Sequence, residues 1–96
     1  MAAYARTTLE NAVKDLAALP CGRNWALYCE AAKIGKFVHH GILDRAEVEN
    51  AMMEASNRNG YTAAKHGGAK KARATIKSGI EKAKGDPLPN LKGRAA

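Results

Sequence analysis

The chain of 96 residues contains few aromatic side chains, few cysteines and no long apolar stretch. Aromatic residues make up 5% of it, which leaves few side chains that could stack on bases. Its two cysteines, Cys21 and Cys29, do not form a recognisable disulfide framework. No apolar run approaches the roughly 18 residues that span a bilayer, and no N-terminal stretch resembles a signal peptide. We therefore expect a single small, soluble, cytoplasmic domain with no membrane partner.

Signatures of metal binding and catalysis are also missing. The potential metal ligands lack the two closely spaced pairs typical of zinc sites; they are Cys21, Cys29, His39, His40 and His66. No Ser or Cys lies in a nucleophile turn, and the carboxylates fall mainly on outward helix faces. Gly67-Gly68 lacks the Lys-Ser or Lys-Thr of a phosphate-binding P-loop. The sequence thus predicts no catalytic residues, no metal and no cofactor, with Cys29 a small buried side chain.

Acidic side chains are scarce in the last third of the chain. Residues 61–96 carry nine of the sixteen Lys and Arg residues but only two acids, Glu81 and Asp86. Residues 1–60 are neutral, so the whole net charge of +7 lies in the last third. Such an imbalance favours a polyanionic partner, most commonly nucleic acid, with attraction that weakens steeply as salt is raised. A lysine-rich helix that only keeps the protein soluble is the alternative.

Apolar residues recur every three or four positions in four segments, the pattern of helices with one buried face. The segments are residues 4–19, 23–40, 44–60 and 69–84. Neither strand-like alternation nor an internal repeat is visible. The sequence predicts an all-α fold, a small four-helix bundle whose last helix is basic. We expect residues 1–85 to form this domain and residues 86–96, which begin Asp86-Pro87-Leu88, to form a flexible tail or linker.

The third helix has the clearest boundary signals. Asp44 is placed to cap its first backbone N–H groups, and Glu47 is placed to reach back to the chain before it. Gly41 and Gly60 fit the left-handed residue that follows a helix. In the second helix, the small residues Ala32 and Gly35 would let a neighbouring helix approach closely.

Four aromatic residues are candidates for base stacking: Trp25, Tyr28, Phe37 and Tyr61. In so small a core we expect most of them to pack inside. Trp25 and Tyr28, near the start of the second helix, are the pair that could instead line a groove.

Three stretches together resemble the small helical domain of phage and plasmid primases. They are residues 22–27 (GRNWAL), residues 30–38 (EAAKIGKFV) with 41–44 (GILD), and residues 72–80 (ARATIKSGI). In that family an Arg-Asn pair opens a helix, an Ala-Ala-x-x-Gly helix ends near a Gly-x-Leu turn, and a later helix carries Thr-Ile-x-Ser-Gly. The match covers residues 16–91 in the same order. The chain departs from the family in its bulky Trp25 and in an insertion at residues 65–68.

The resemblance implies the module that follows the catalytic domain in bifunctional primase-polymerases and primase-helicases. That module assists binding of the single-stranded DNA template and the initiating nucleoside triphosphate. The catalytic carboxylates of the family belong to another domain and have no counterpart in this sequence. The chain is therefore expected to be a non-catalytic accessory domain whose partners include a primase catalytic domain or a helicase domain.

The candidate binding residues come from two sources. By position, the resemblance points to Arg23, Asn24, Thr75 and Ser78. Positive charge adds Lys33, Lys36, Arg73 and Lys77. The structural alternative is that Asn24 caps a helix and that Thr75 and Ser78 make helix contacts. Two other functions stay open: a protein-interaction module of a phage or plasmid replication complex, and a small basic DNA-binding regulator, although no helix-turn-helix signature is visible.

Overall fold

The computed structural model describes residues 1–63 and 68–88, and over these residues the chain is helical with no strand. The elements are α1 (Ala2–Ala17), α2 (Arg23–His39), α3 (Arg45–Arg58), a short 3-10 helix (Tyr61–Ala63) and α4 (Ala69–Lys82). The predicted all-α four-helix bundle is confirmed, and the helix ends lie within two residues of the predicted ones.

Contacts between non-consecutive helices set the topology. Arg6 near the start of α1 pairs with Glu47 near the start of α3, and Asn59 just after α3 bonds the Leu16 carbonyl near the end of α1. α1 and α3 are therefore parallel. α2 and α4 are parallel as well, because Asn24 near the start of α2 bonds Thr75 in the middle of α4, while Gly35 further along α2 faces Ile80 near the end of α4. Helices that follow one another in the chain run in opposite directions, which gives an up-down-up-down arrangement.

The core lies where the apolar faces of the four helices meet. The largest side chains enclosed there are Leu16, Leu27, Ile34, Phe37, Val48, Met52, Ile76 and Ile80. Tyr4 adds an edge-on ring contact to Phe37, with centroids 6.1 Å apart. Four apolar residues of the predicted inward faces, Val13, Leu19, Val38 and Ala51, are only partly buried and pack at the margin. The faces predicted from periodicity are thus the faces that pack.

α2 and α4 cross at very short distance because glycine stands at both contact points. A Cβ atom placed on Gly79 would lie 2.5 Å from the Ala31 Cβ and 2.7 Å from the Tyr28 carbonyl oxygen. One placed on Gly35 would lie 2.8 Å from the Ala83 Cβ. The predicted close approach of a helix at Gly35 is confirmed. This contact fixes α2 against α4 with backbone almost touching backbone.

The boundary signals of α3 are confirmed with one difference. The Asp44 carboxylate accepts a hydrogen bond from the Glu47 backbone N–H at 3.2 Å, as expected of a cap. The Glu47 side chain does not reach back along the chain, because the Arg6 guanidinium of α1 binds it. Gly41 and Gly60 have φ of 73° and 83°, the left-handed conformation predicted for them.

The chain stays in contact with the bundle beyond α4. His40 Nε2 lies 3.1 Å from the Asp86 carbonyl oxygen, and Leu88 packs against the core. Contact thus continues past the predicted domain boundary at residue 85. The rest of the predicted tail, residues 89–96, lies outside the described residues, as do residues 65–67 of the insertion in the primase-like pattern.

Candidate functional site

An open groove of about 670 Å³ runs between the first half of α2 and the length of α4. Its walls contain Asn24, Trp25, Tyr28, Lys71, Ala74, Thr75, Ser78 and Lys82. Both helices contribute polar side chains to this surface, and α2 adds two aromatic rings. The close crossing at Gly79 is the contact that holds these two walls together.

α4 supplies its wall of the groove through a single stripe of side chains. Lys71, Thr75, Ser78 and Lys82 follow one another at intervals of three or four residues, so they share one face of the helix. The two lysines lie at the ends of the stripe and the two hydroxyls lie between them. An anionic chain laid along this face would meet a positive charge at each end and hydroxyl donors in the middle.

α2 supplies an exposed aromatic pair. The Trp25 side chain is 70% exposed, and its ring stacks on Tyr28 with centroids 5.8 Å apart and planes 21° apart. Phe37 and Tyr61 are buried, as expected. Trp25 and Tyr28 instead line the groove, the alternative that the sequence left open for this pair. An indole held flat by a second ring is a ready stacking surface for a planar ligand.

Asn24 links the groove to the frame of the bundle. Its side-chain oxygen accepts a hydrogen bond from the Tyr61 hydroxyl and another from the Thr75 hydroxyl, each at 2.7 Å. The residue does not cap α2, whose N-cap is Gly22 with no side-chain cap bond. The capping alternative for Asn24 is thus wrong, whereas Thr75 does make the helix contact considered for it. Asn24 joins α2, α4 and the 3-10 helix at one end of the groove.

The Tyr61 hydroxyl is well suited to hold Asn24. Burial raises the pKa of Tyr61, and the positive charge of Arg23 opposes that rise only in part. The phenol therefore stays protonated at neutral pH. Its hydroxyl donates a hydrogen bond to the Asn24 side-chain oxygen. This bond occupies the oxygen of the amide and leaves its nitrogen, on an exposed residue that lines the groove, as the hydrogen-bond donor of the side chain.

Arg23 does not line the groove. It makes contacts between the ends of helices within the bundle. Its guanidinium donates to the Asn59 carbonyl oxygen at 2.8 Å and lies 5.9 Å from the centre of the Tyr61 ring. Asn59 in turn donates through its side chain to the Leu16 carbonyl at 2.8 Å. Arg23 therefore helps to lock the ends of α1 and α3 to the start of α2.

The other predicted cations lie away from the groove. Lys33 pairs with Glu30 at 3.1 Å on the side of α2 that faces away from α4. Lys36 lies further along α2, with its Nζ 5.8 Å from the centre of the Phe37 ring. Arg73 and Lys77 occupy the opposite flank of α4 from the stripe. Of the eight candidates, the structure brings together only Asn24, Thr75 and Ser78.

Two charged groove residues, Lys71 and Lys82, were not among the binding residues predicted from charge and resemblance, whereas Trp25 and Tyr28 were named as the aromatic pair that could line a groove. Helical phase carries the missing signal for the lysines. Lys71 and Lys82 are spaced in step with Thr75 and Ser78, whereas Arg73 and Lys77 are not. The net charge of a helix counts all its basic residues alike, so it cannot distinguish those that line the groove from those on the opposite flank.

Acidic side chains are held mainly by arginines on other faces of the bundle. Glu81, the acid of α4, binds Arg45 at 3.0 Å, and that hydrogen bond lowers the pKa of Glu81. Arg45 also binds Glu49 of its own helix at 2.9 Å. Glu81 and its partners lie on the α3 side of α4, so this negative charge does not line the groove.

A second groove, of about 430 Å³, lies between α1 and α3. Charges of both signs line it, and Arg6 and Glu47 pair there. Two acidic side chains, Glu10 and Glu47, offset most of its positive charge, and no aromatic ring lines it. The α2–α4 groove, with lysines as its charged lining, is the better candidate for an anionic ligand.

Neither metal chemistry nor membrane insertion is suggested by the described part of the chain. Within residues 1–63 and 68–88, no three His, Cys, Asp or Glu side chains lie together as metal ligands would. No helix among these residues has both the length and the apolar character to cross a membrane.

Comparison of the chain with protein-family models, with curated proteins and with solved structures finds no match. The groove itself and the resemblance of the three sequence stretches are thus the observations from which a function can be inferred.

Proposed function

We propose that the chain is a non-catalytic accessory domain of a DNA-priming protein and that it holds single-stranded template DNA in the α2–α4 groove. The observation that carries the proposal is the exposed Trp25 ring, stacked on Tyr28 and flanked across the groove by Lys71 and Lys82. Proteins that bind single strands combine aromatic rings for the bases with positive charge for the backbone. Both are present on one surface of this bundle.

Trp25 favours a single strand over a duplex. Bases within a duplex have both faces covered by neighbouring pairs, so an indole on a protein surface cannot stack on them without unpairing the strands. An unpaired base can lie on the indole, and such a contact is worth about 1–3 kcal/mol. The polar groups between the lysines, Thr75, Ser78 and the Asn24 amide, suit phosphate oxygens or base edges.

The link to priming comes from the sequence resemblance. Three of the residues that the resemblance points to, Asn24, Thr75 and Ser78, line the groove beside the aromatic pair. This clustering supports the assignment, because Asn24 lies 51 positions before Thr75 in the sequence and yet shares the groove with Thr75 and Ser78. In such a role the domain positions template, while a separate primase catalytic domain or helicase domain performs the chemistry.

Binding of labelled oligonucleotides tests the proposal. Anisotropy titrations with single-stranded and double-stranded DNA of equal length, each at low and high salt, should give tighter binding of the single strand. The affinity for the single strand should fall steeply as salt rises. Binding of neither form at low salt would reject the proposal, and preference for duplex would favour a basic DNA-binding regulator.

A protein-interaction module is the second candidate, and the exposure of Trp25 favours it specifically. Tryptophan is enriched among the residues that carry most of the energy of protein interfaces. A partner protein bound through Trp25 would gain mainly apolar area, so its affinity should change little with salt. Weak salt dependence of binding to a primase or helicase domain, together with no affinity for DNA, would favour this module.

A further inference from the structure

The backbone positions of the two groove lysines lie further apart than the phosphates of one nucleotide. Lys71 and Lys82 are eleven residues apart on one helical face, and a rise of 1.5 Å per residue separates their backbone positions by about 16 Å. The phosphates of a triphosphate share bridging oxygens and are far more compact than that separation. A free triphosphate therefore meets both ammonium groups only when the two flexible side chains bend towards each other, whereas a strand meets both while they stay extended.

The aromatic pair accepts a base on one side only. Bases stack about 3.4 Å apart, so a base between two rings needs centroids at least about 6.8 Å apart. The centroids of Trp25 and Tyr28 are 5.8 Å apart. Tyr28 therefore supports one face of the indole, and a base must stack on the exposed face. The pair ends a stack of bases and does not clamp a single one.

From this geometry we infer that the groove is specific for a short segment of strand and does not select a free nucleoside triphosphate. A stacked strand advances about 3.4 Å per nucleotide, so a path of about 16 Å holds about five nucleotides, and fewer if the strand is extended. One base lies on Trp25, and phosphates at the two ends of the segment meet Lys71 and Lys82. The inference rests on the proposed function and defines its ligand.

The fluorescence of Trp25, the only tryptophan in the chain, reports directly on the groove. Oligodeoxythymidylates of one to ten nucleotides and deoxythymidine triphosphate are titrated against the full chain at about 50 mM salt. Affinity should rise with each nucleotide up to about five and then level off. The triphosphate should bind at least about tenfold more weakly than the pentamer. A triphosphate that binds as tightly as the pentamer overturns the inference.

Charge-neutral variants separate the two ends of the groove. Each phosphate contact on a single strand contributes about 0.7 to the slope of log affinity against log salt concentration. Relative to about 1 M salt, that slope makes the affinity at 50 mM salt about eightfold higher. Lys71→Gln and Lys82→Gln should each lose about that factor for the pentamer. Lys77→Gln, the matched control, removes the same charge from the opposite flank of α4 and should lose about twofold or less.

Length and charge together distinguish failure of the inference from failure of the proposed function. A dinucleotide reaches one lysine at a time. The affinity that it loses in the combined Lys71→Gln and Lys82→Gln variant should therefore be far smaller than the product of the two single-variant losses found with the pentamer. Equal losses for dinucleotide and pentamer reject a path between the lysines while single-strand binding still stands. If no oligonucleotide of any length binds, the proposed function falls, and the inference with it.

Discussion

Among single residues, Asn24 does most to shape the groove, because its side-chain oxygen accepts hydrogen bonds from hydroxyls of two other elements. Tyr61 and Thr75 both donate to it at 2.7 Å. With two donors on its oxygen, the Asn24 amide is held in one orientation, and its nitrogen is the donor that the residue offers at the groove. Sequence alone singled out Asn24 and Thr75, but it could not show that they bond each other, because 51 positions separate them.

Replacement of Tyr61 by phenylalanine tests this arrangement. The ring stays in the core while Asn24 loses one of its two hydroxyl donors. We expect a loss of about 1 kcal/mol in the free energy of unfolding, measured by urea denaturation. Single-strand affinity should fall as well, since the amide can rotate. An unchanged stability with unchanged affinity would show that the bond has no part in setting the groove.

Trp25 offers the opposite test, a residue whose loss should affect binding but not folding. Because its side chain is 70% exposed, Trp25→Ala should change the free energy of unfolding by no more than about 0.5 kcal/mol. Loss of a stacked base should cost about 1–3 kcal/mol of binding, a fall in affinity of roughly fivefold or more. Trp25→Phe should recover part of it. Wild-type affinity in a folded Trp25→Ala protein, measured by anisotropy, would exclude the stacking role.

The exposure of Trp25 shows where sequence reasoning reached its limit. Trp25 lies well off the face of α2 that carries Leu27, Ala31 and Ile34, so helical phase gives it an outward direction. The general preference of large aromatic rings for the core argues the other way. Phase proved the better guide, because a small core already filled by Phe37 and the aliphatic residues has no room for an indole.

Among the helices, the α2–α4 pair determines the site, since both walls of the groove belong to it. Alanine and glycine at the crossing were visible in the sequence and predicted a close neighbour for α2. The sequence did not show which helix lies there, because the spacing of residues along α2 does not identify its neighbour. Gly79 of α4, which the sequence pattern placed beside Thr75 and Ser78, turns out to be the contact point.

Gly79→Ala tests the crossing. A Cβ there would meet the Tyr28 carbonyl oxygen at 2.7 Å, and backbone atoms cannot move away as a flexible side chain can. The helices must separate, so we expect a loss of about 1–3 kcal/mol in unfolding free energy despite the higher helix propensity of alanine. Ser78→Ala, the exposed neighbour, is the control and should be neutral or slightly stabilising. A Gly79→Ala protein as stable as the wild type contradicts the close crossing.

In the molecule as a whole, acidic and basic groups are divided by surface. The acids of α3 are bound by arginines, Glu47 by Arg6 of α1 and Glu49 by Arg45, while the groove presents lysines. The total charge and its position in the last third were readable from sequence. Helical phase divides the basic residues of α4 between two flanks, but which flank lines a groove required the packing of α4 on α2, which only the folded chain supplies.

This distribution predicts how stability depends on pH. The hydrogen bond from Arg6 lowers the pKa of Glu47, and that from Arg45 lowers the pKa of Glu81, both from an ordinary value of 4.5. A carboxylate whose pKa is lower in the folded state than in the unfolded state stabilises the fold at pH values above its unfolded-state pKa. That contribution is lost as pH falls through the folded-state pKa. Thermal unfolding temperatures should therefore drop below about pH 4.5.

Glu47→Gln isolates one of these pairs. The variant should melt at a lower temperature than the wild type at pH 7, where Glu47 is charged, and the two should converge as pH falls through the lowered pKa of Glu47. Both side chains are exposed, so the difference at pH 7 should be small. A difference that persists unchanged below that pKa would assign the effect to something other than the ion pair.

The proposal that the α2–α4 groove binds single strands is tested most directly by locating the contact. A single-stranded pentanucleotide is titrated into the ¹⁵N-labelled chain, and the shifts of backbone amides and of the Trp25 indole N–H are followed by NMR. The largest changes should fall on the indole and on Lys71, Thr75, Ser78 and Lys82, with α1 and the Arg73–Lys77 flank little affected. Shifts concentrated on that opposite flank, with the Trp25 indole unmoved, would contradict it.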